Sequence, residues 1–167
     1  MDLIVDPSGY LQLGHVRYRC ALGRAGVTHT KREGDGATPI GTFALRRLFY
    51  REDRVPRPRC ALPTDILRRN DGWCDDPTRP EYNQFVTLPF DGRHEELWRA
   101  DALYDIVGVI GYNDAPVVSG LGSAIFLHVA APDYAPTEGC VALAVDDLMR
   151  VLVALDADNT ITIRRQY

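Results

Sequence analysis

The 167-residue sequence lacks the long apolar run that a membrane span or a secretory signal needs. Its first residues contain neither a basic cluster nor an extended hydrophobic stretch. We therefore expect a protein without membrane insertion. We place it in the cytoplasm, or in the periplasm if an export signal has been removed.

Net positive charge is also absent, because the formal charge is −4. Eight arginines lie within segment 46–69, but the following segment, 71–105, contains nine acidic residues. We expect the two segments to neutralise each other, so no nucleic-acid partner is predicted. Prolines interrupt segment 46–69, which we predict to be a long basic loop or sheet edge.

Closely spaced cysteines are missing as well. The four cysteines are widely separated, at Cys20, Cys60, Cys74 and Cys140. They contain no C-x-x-C pair, whereas structural zinc ligands usually come in close pairs. We expect free thiols rather than a disulfide between Cys60 and Cys74, and no metal or other cofactor. No feature of the sequence indicates an oligomeric state.

The sequence does contain a series of short β-strand patterns and one helical pattern. The predicted strands lie within 2–6, 10–13, 16–22, 38–45, 104–112, 124–129, 141–144 and 160–164. Segment 146–155 has apolar residues at helical spacing. These patterns predict a mainly β fold with one or two short helices. The length suits a single domain, 1–167, with its own hydrophobic core.

A histidine and a cysteine indicate the chemistry. His128 ends an apolar run, and Cys140 follows twelve residues later. A thiolate beside an imidazole is a suitable nucleophile for acyl transfer. No histidine follows Cys140, so a histidine base must come from upstream, which excludes the papain-like order. Because an adjacent imidazole lowers the pKa of a thiol, we expect Cys140 to be ionised against His128.

The residue before the cysteine, Gly139, has no side chain to crowd a carbonyl under attack. We predict that the backbone amides of Gly139 and Cys140 form an oxyanion hole.

Four segments in this order resemble a known family. They are 34–43 (GDGATPIGTF), the strand that ends in His128, 137–140 (TEGC) and 160–163 (TITI). Together they resemble the L,D-transpeptidase (YkuD-type) catalytic domain, most strongly over residues 30–164. The resemblance implies a β-sandwich-like fold, with Cys140 as the nucleophile and His128 as the base. It also implies that the backbone carbonyl of Val129 orients the histidine.

The motif around the cysteine departs from the family at several positions. Thr137 stands where the family usually has serine, and Glu138 replaces a frequent histidine. Val141 and Ala142 replace the hydrophobic residue and arginine that often follow the cysteine. The absent arginine bears on how a substrate carboxylate is recognised.

The resemblance implies attack on a peptidoglycan stem peptide, between the L-centre of its third residue, usually meso-diaminopimelate, and the terminal D-alanine. Water as the acceptor gives an L,D-carboxypeptidase, and we hypothesise this reaction, in muropeptide recycling. An amine as the acceptor gives a transpeptidase that forms 3-3 cross-links or exchanges D-amino acids. A cysteine amidase or esterase with another substrate and a catalytically silent wall-binding domain are the alternatives.

Several residues are candidates for substrate binding. Arg99 is chosen because arginine binds carboxylates in a bidentate manner, and Thr137 belongs to the cysteine motif. Segment 71–83 is rich in glycine, proline and aspartate and is long enough to form a lid over the cleft. The alternative, at least as well supported, is that its aromatic residues pack into the core. The remaining candidates come from this lid and from the end of a predicted strand: Trp73, Tyr82, Asn83, Tyr112 and Asn113.

Overall fold

The computed structural model describes residues 2–165 and consists mainly of β-strands with one helix in this range. The helix, α1, is Val145–Val153. The strands are β1 Leu3–Asp6, β2 Tyr10–Leu13, β3 Val16–Ala21, β4 Val27–Thr28, β5 Thr38–Pro39, β6 Gly41–Tyr50, β7 Thr64–Ile66, β8 Asp71–Cys74, β9 Phe85–Thr87, β10 His94–Glu96, β11 Ile106–Ile110, β12 Phe126–Val129, β13 Val141–Leu143 and β14 Thr160–Ile163.

The largest sheet has nine strands in the order β11-β12-β13-β3-β2-β1-β14-β6-β7. Strand β6 also pairs with β11, so the sheet closes on itself. The long β6 makes this closure possible, because its first half pairs with β14 and its second half with β11. The predicted mainly β, sandwich-like fold is therefore confirmed.

The enclosed core follows from alternation along the strands. Leu3 and Val5 of β1 and Leu11 of β2 are fully buried, whereas their neighbours in sequence are partly exposed. Complete burial of an aliphatic side chain contributes about 1.5–3 kcal/mol relative to exposure. The predicted β-meander forms β1 to β3, and β1 also pairs in parallel with β14.

Helix α1 covers one side of this core. It buries Leu148, Val151 and Leu152, as the predicted spacing requires, and Asp146 and Asp147 occupy its first turn. Acidic side chains there stabilise the positive end of the helix dipole. Within residues 2–165, no helix is long and apolar enough to span a membrane.

Segment 46–69 was predicted to be a long basic loop or a sheet edge, and the structure differs only in its first residues, since β7 is an edge strand of the large sheet whereas β6 lies within it. Strand β6 continues to Tyr50, and β7 pairs with it in parallel. Leu48, Phe49 and Tyr50 are buried, and this burial outweighs the signal from the neighbouring arginines. The basic and acidic segments do meet at one ion pair, between Arg54 and Asp105 at 3.1 Å.

The expected lid, 71–83, is not a simple loop. Its first residues form β8, the central strand of a small sheet in the order β10-β8-β9. All four residues of β8 are buried. This small sheet brings the acidic segment against the face of β12 described below, because Trp73 of β8 packs edge-on against Phe126 at 5.2 Å.

Candidate active site

Two neighbouring parallel strands determine the position of the candidate nucleophile and base. In the register of β12 with β13, His128 is opposite Ala142 and Leu127 is opposite Val141. Leu127 and Val141 face the main core. Because side chains alternate along strands, His128 and Ala142 face the other way. Cys140 directly precedes β13, and its sulfur meets the backbone N–H of Phe126 at 3.3 Å, so it lies on the same side as His128.

Cys140 and His128 both line a cavity of about 510 Å³. Ala142 also belongs to its wall. The charged residues of the wall are Lys31, Glu33, Asp75, Arg93, Glu95, Arg99 and Glu138. The cavity thus places a thiol and an imidazole among charges of both signs.

The sulfur of Cys140 is buried and contacts backbone groups. Its thiol donates to the carbonyl of Ala124 at 3.2 Å and accepts the N–H of Phe126 at 3.3 Å. Burial raises the pKa of the Cys140 thiol to about 12, and the negative charge of Glu95 adds to this effect. Because burial favours the neutral thiol, the expectation of an ionised sulfur was wrong for the resting protein.

The imidazole of His128 is held by its own strand. Its Nδ1 lies 2.8 Å from the carbonyl oxygen of Val129, where the resemblance had placed this contact. A ring nitrogen that faces a carbonyl acts as the donor, so Nε2 is left with the free lone pair. Burial lowers the pKa of His128 to about 4, against the opposite effect of the nearby carbonyls of Val129 and Leu103. Near pH 7 the imidazole is therefore neutral and able to accept a proton.

The turn before the cysteine is fixed by Thr137. Its hydroxyl donates to the carbonyl of Cys140 at 2.7 Å and accepts the N–H of Gly139 at 3.1 Å. The Gly139 amide therefore has a partner already, which contradicts its expected part in an oxyanion hole. Gly139 contributes its backbone conformation instead, since its φ is +136° and a Cβ there would lie 2.7 Å from the carbonyl oxygen of Ala37.

The predicted substrate-binding residues divide into two groups. Arg99 and Thr137 line the cavity. Five others are not among the described residues that line the cavity: Trp73, Tyr82, Asn83, Tyr112 and Asn113. Three of them, Trp73, Asn83 and Tyr112, line a separate and smaller pocket. The polar atoms of all five are engaged with other protein groups, and the rings of Trp73 and Tyr82 are buried.

Asn83 shows how this second group supports the site. Its side-chain oxygen accepts the Trp73 indole N–H and the N–H of Ala124, both at 3.0 Å. Its amide nitrogen donates to the carbonyls of Tyr112 and Asn113. Ala124, which has a positive φ of 54°, is thereby held where its carbonyl accepts the Cys140 thiol.

Tyr82 and Asn113 are engaged in similar ways. The Tyr82 hydroxyl donates to Glu33 at 2.7 Å, and the Asn113 side chain bonds the backbone of Val118 and Gly122.

Sequence reasoning missed several charged residues of the cavity. Lys31, the single lysine of the sequence, is buried on the wall and pairs with Asp35. Glu33 accepts the hydroxyls of Tyr82 and Ser123. Glu95 accepts the hydroxyl of Tyr104 at 2.8 Å. One indication of their role came from the sequence, in which Lys31 and Glu33 lie just before the 34–43 motif.

The four cysteines are free thiols. In the range 2–165, no three His, Cys, Asp or Glu side chains lie close enough together to hold a metal ion. The chemical groups available in the cavity are therefore a thiol, an imidazole, carboxylates and basic side chains.

A cysteine and a neutral imidazole on one wall of a cavity, in a closed β fold, are the chemical groups that cysteine-dependent acyl transfer uses. The sequence model of the YkuD family, the L,D-transpeptidase catalytic domain, matches residues 3–163. The protein therefore belongs to the YkuD family of L,D-transpeptidase catalytic domains, which act on peptidoglycan. No curated protein and no solved structure matches the chain.

Proposed function

We propose that the protein is an L,D-carboxypeptidase of muropeptide recycling. In this reaction Cys140 attacks a peptidoglycan stem peptide at the bond between the L-centre of its third residue, meso-diaminopimelate, and the terminal D-alanine. Water then resolves the thioester. The observation that supports the proposal best is that Cys140 and His128 line the same cavity. The match to the YkuD family supplies the substrate class.

The reaction begins with two neutral groups. As Sγ of Cys140 forms a bond to the carbonyl carbon, the thiol proton moves to Nε2 of His128. The amide C–N bond then breaks, and the imidazolium gives this proton to the amine of the leaving D-alanine. Water attacks the thioester with His128 as the base, which releases the tripeptide and restores the thiol. General-base catalysis of this kind contributes about 10²–10⁴ in rate.

The oxyanion of each step needs hydrogen-bond donors. Because the Gly139 amide donates to Thr137, we propose the amide of Cys140 as a donor. Loss of one such donor costs about 10²–10³ in rate. The contacts of Thr137 with Gly139 and Cys140 hold the turn in the shape that this donor requires.

Water is favoured as the acceptor by the size of the cavity. At about 510 Å³ it lies within the range of roughly 300–1,000 Å³ that encloses a single small ligand. Such a cavity accommodates the end of one stem peptide, and hydrolysis needs no second stem.

The test is incubation of the purified protein with free and disaccharide-linked tetrapeptide, with products identified by mass spectrometry. We expect tripeptide and free D-alanine. Cys140→Ala should abolish both the products and any covalent adduct, and His128→Ala should lower the rate by at least about 10². Cys60→Ala, which changes a thiol outside the cavity, is the matched control and should retain activity.

A second candidate, transpeptidation, is favoured by the family match itself. The same thioester would then be resolved by an amine of a second stem or by a free D-amino acid. Cross-linked dimers without tripeptide in the same assay would contradict hydrolysis. Cleavage of other amides or esters, with no action on tetrapeptide, would instead favour a different cysteine amidase.

A further inference from the structure

The charged residues of the cavity are not equally available to a substrate. Lys31 pairs with Asp35, and Arg93 pairs with Asp75 at 3.2 Å. Glu138 is largely exposed and pairs with Arg24.

Two carboxylates of the cavity wall differ from these. Within the described chain, neither Glu33 nor Glu95 has a cation within ion-pair distance. Both accept hydroxyl groups instead, Glu33 from Tyr82 and Ser123, and Glu95 from Tyr104. The cavity therefore contains negative charge that a cationic group of a ligand can neutralise.

Glu95 is the carboxylate with the clearer relation to the reacting groups. Its Oε1 accepts the Tyr104 hydroxyl at 2.8 Å, and the Tyr104 ring packs edge-on against the His128 ring at 5.2 Å. Burial raises the pKa of the Glu95 carboxyl, and the negative charges of Asp75 and Glu33 raise it further. A bound ammonium group would reverse this effect, because an opposite charge favours the ionised form.

Arg99 lies beside the same tyrosine. Its guanidinium carbon is 5.2 Å from the centroid of the Tyr104 ring. Like Arg93, Arg99 is ion-paired, because its Nε and Nη2 donate to Asp101 at 2.8 and 2.7 Å, but its Nη1 has no protein partner among residues 2–165. The Tyr104 ring thus has a carboxylate at its hydroxyl and a guanidinium over its face, next to His128.

The second position after the cysteine contributes no charge to the cavity. Ala142, opposite His128 in the strand register, contributes only a methyl group to the cavity wall. No charge comes from this position, so a carboxylate near His128 must be recognised by another residue. Arg99 lies over the ring of Tyr104, which itself packs against this histidine, so it is well placed for this role.

We propose that Glu95 and Arg99 form a subsite for an amino-acid group that carries both an ammonium and a carboxylate. Glu95 accepts the ammonium, and Arg99 donates to the carboxylate. This inference rests on the proposed function. The subsite would determine which stem peptides the enzyme prefers. The third residue must end in a free amino-acid group, as diaminopimelate does.

Three tetrapeptides that differ only at the third residue test the subsite. Diaminopimelate has both groups, lysine lacks the distal carboxylate, and 2-aminopimelate lacks the distal ammonium. We expect kcat/KM for diaminopimelate to exceed that of each analogue by at least about tenfold, because a site built to bind a polar group rejects a ligand without it. The difference should lie mainly in KM.

Two variants assign each group to its partner. Glu95→Gln keeps an oxygen that can accept the Tyr104 hydroxyl, and it should lose the discrimination against 2-aminopimelate but keep that against lysine. Arg99→Gln should do the reverse. Glu96→Gln and Arg150→Gln change exposed residues outside the cavity and should leave both preferences intact. An equal loss for all three peptides would overturn the subsite.

Two further measurements test the assignment of Arg99 to the third residue and distinguish failure of the subsite from failure of the proposed reaction. A tetrapeptide that ends in D-alaninamide removes the other carboxylate, and loss of the Arg99→Gln effect on that peptide would overturn the assignment of Arg99 to the third residue. Calorimetric binding of the three tripeptide products needs no turnover. Selective binding of the diaminopimelate product without cleavage of any tetrapeptide would support the subsite but contradict the proposed reaction.

Discussion

Burial is the main influence on the resting protonation states of Cys140 and His128. The pKa of the thiol is raised to about 12 and that of the imidazole is lowered to about 4. Between these values both groups are neutral. In the proposed reaction, the sulfur therefore ionises during attack on the substrate and not before it.

This neutral state predicts how alkylation of Cys140 depends on pH. The reactive thiolate fraction of a thiol with a pKa near 12 rises about tenfold for each pH unit. We expect the rate of iodoacetamide alkylation, measured on the Cys140 peptide by mass spectrometry, to rise from about pH 7 to 10 without a plateau. A small free thiol, with a pKa near about 8.5, should level off over the same range. Fast alkylation independent of pH above about 5 would indicate a preformed ion pair instead.

The sequence predicted a candidate nucleophile and base but not their surroundings. Cys140, His128 and Val129 could be predicted because their spacing matches a family motif. The contacts of Glu95 and Asn83 could not be predicted in this way, because their partners Tyr104 and Ala124 come from other segments of the chain. Solvent exclusion, which sets the pKa values of Cys140 and His128, arises only when these segments pack together.

Among the structural elements, the turn before β13 has little freedom at Gly139. Gly139 and Gly120 both have positive φ, but only Gly139 lacks space for a side chain. A Cβ at Gly139 would lie 2.7 Å from the Ala37 carbonyl oxygen, whereas nothing lies within 4 Å of one at Gly120. The backbone of this turn therefore has no alternative position that keeps both the 34–43 segment and Cys140 in place.

Paired substitutions test this difference. Gly120→Ala should lower the free energy of unfolding by about 1 kcal/mol, the cost of the left-handed conformation, with activity retained. Gly139→Ala should cost more and should lower kcat by at least about tenfold, because the clash displaces Cys140. Urea denaturation and tetrapeptide cleavage measure the two effects. Equal behaviour of both variants would show that the contact with Ala37 relaxes freely.

Element prediction from the sequence succeeded where the pattern was local. The helix was expected at 146–155 and forms at Val145–Val153, because its apolar spacing is unambiguous. The extension of β6 to Tyr50 was missed, since arginines 46 and 47 precede the buried Leu48. Strand β8 was missed because its burial comes from β9, β10 and Phe126, which the sequence of β8 does not reveal.

For the whole molecule, the buried imidazole links stability to pH. Folded His128 binds a proton only near pH 4, whereas the unfolded chain does so near its ordinary pKa of 6.5. Between these values the unfolded state holds more protons, so stability is complete above pH 6.5 and falls as the pH is lowered towards 4. Each pH unit in this window changes the free energy by about 1.4 kcal/mol. The His128 contribution amounts to about 3 kcal/mol in all.

Urea denaturation at about pH 7 and about pH 4.5 should show this loss in the wild-type protein. His128→Asn removes the titrating group and should reduce the difference between the two pH values. His15→Asn, at an exposed turn, is the control and should leave the difference unchanged. If His128→Asn retained the full difference, carboxylates elsewhere in the molecule would be responsible for it.

The pairing of β1 with β14 affects the order of events during protein synthesis. Leu3 aligns with Ile161, so this edge of β1 stays uncovered until β14, the last strand of the sheet in chain order, has been synthesised. Contacts between segments so far apart form slowly, because a long loop must close first. The sheet of the nascent chain is therefore completed only after β14 has left the ribosome.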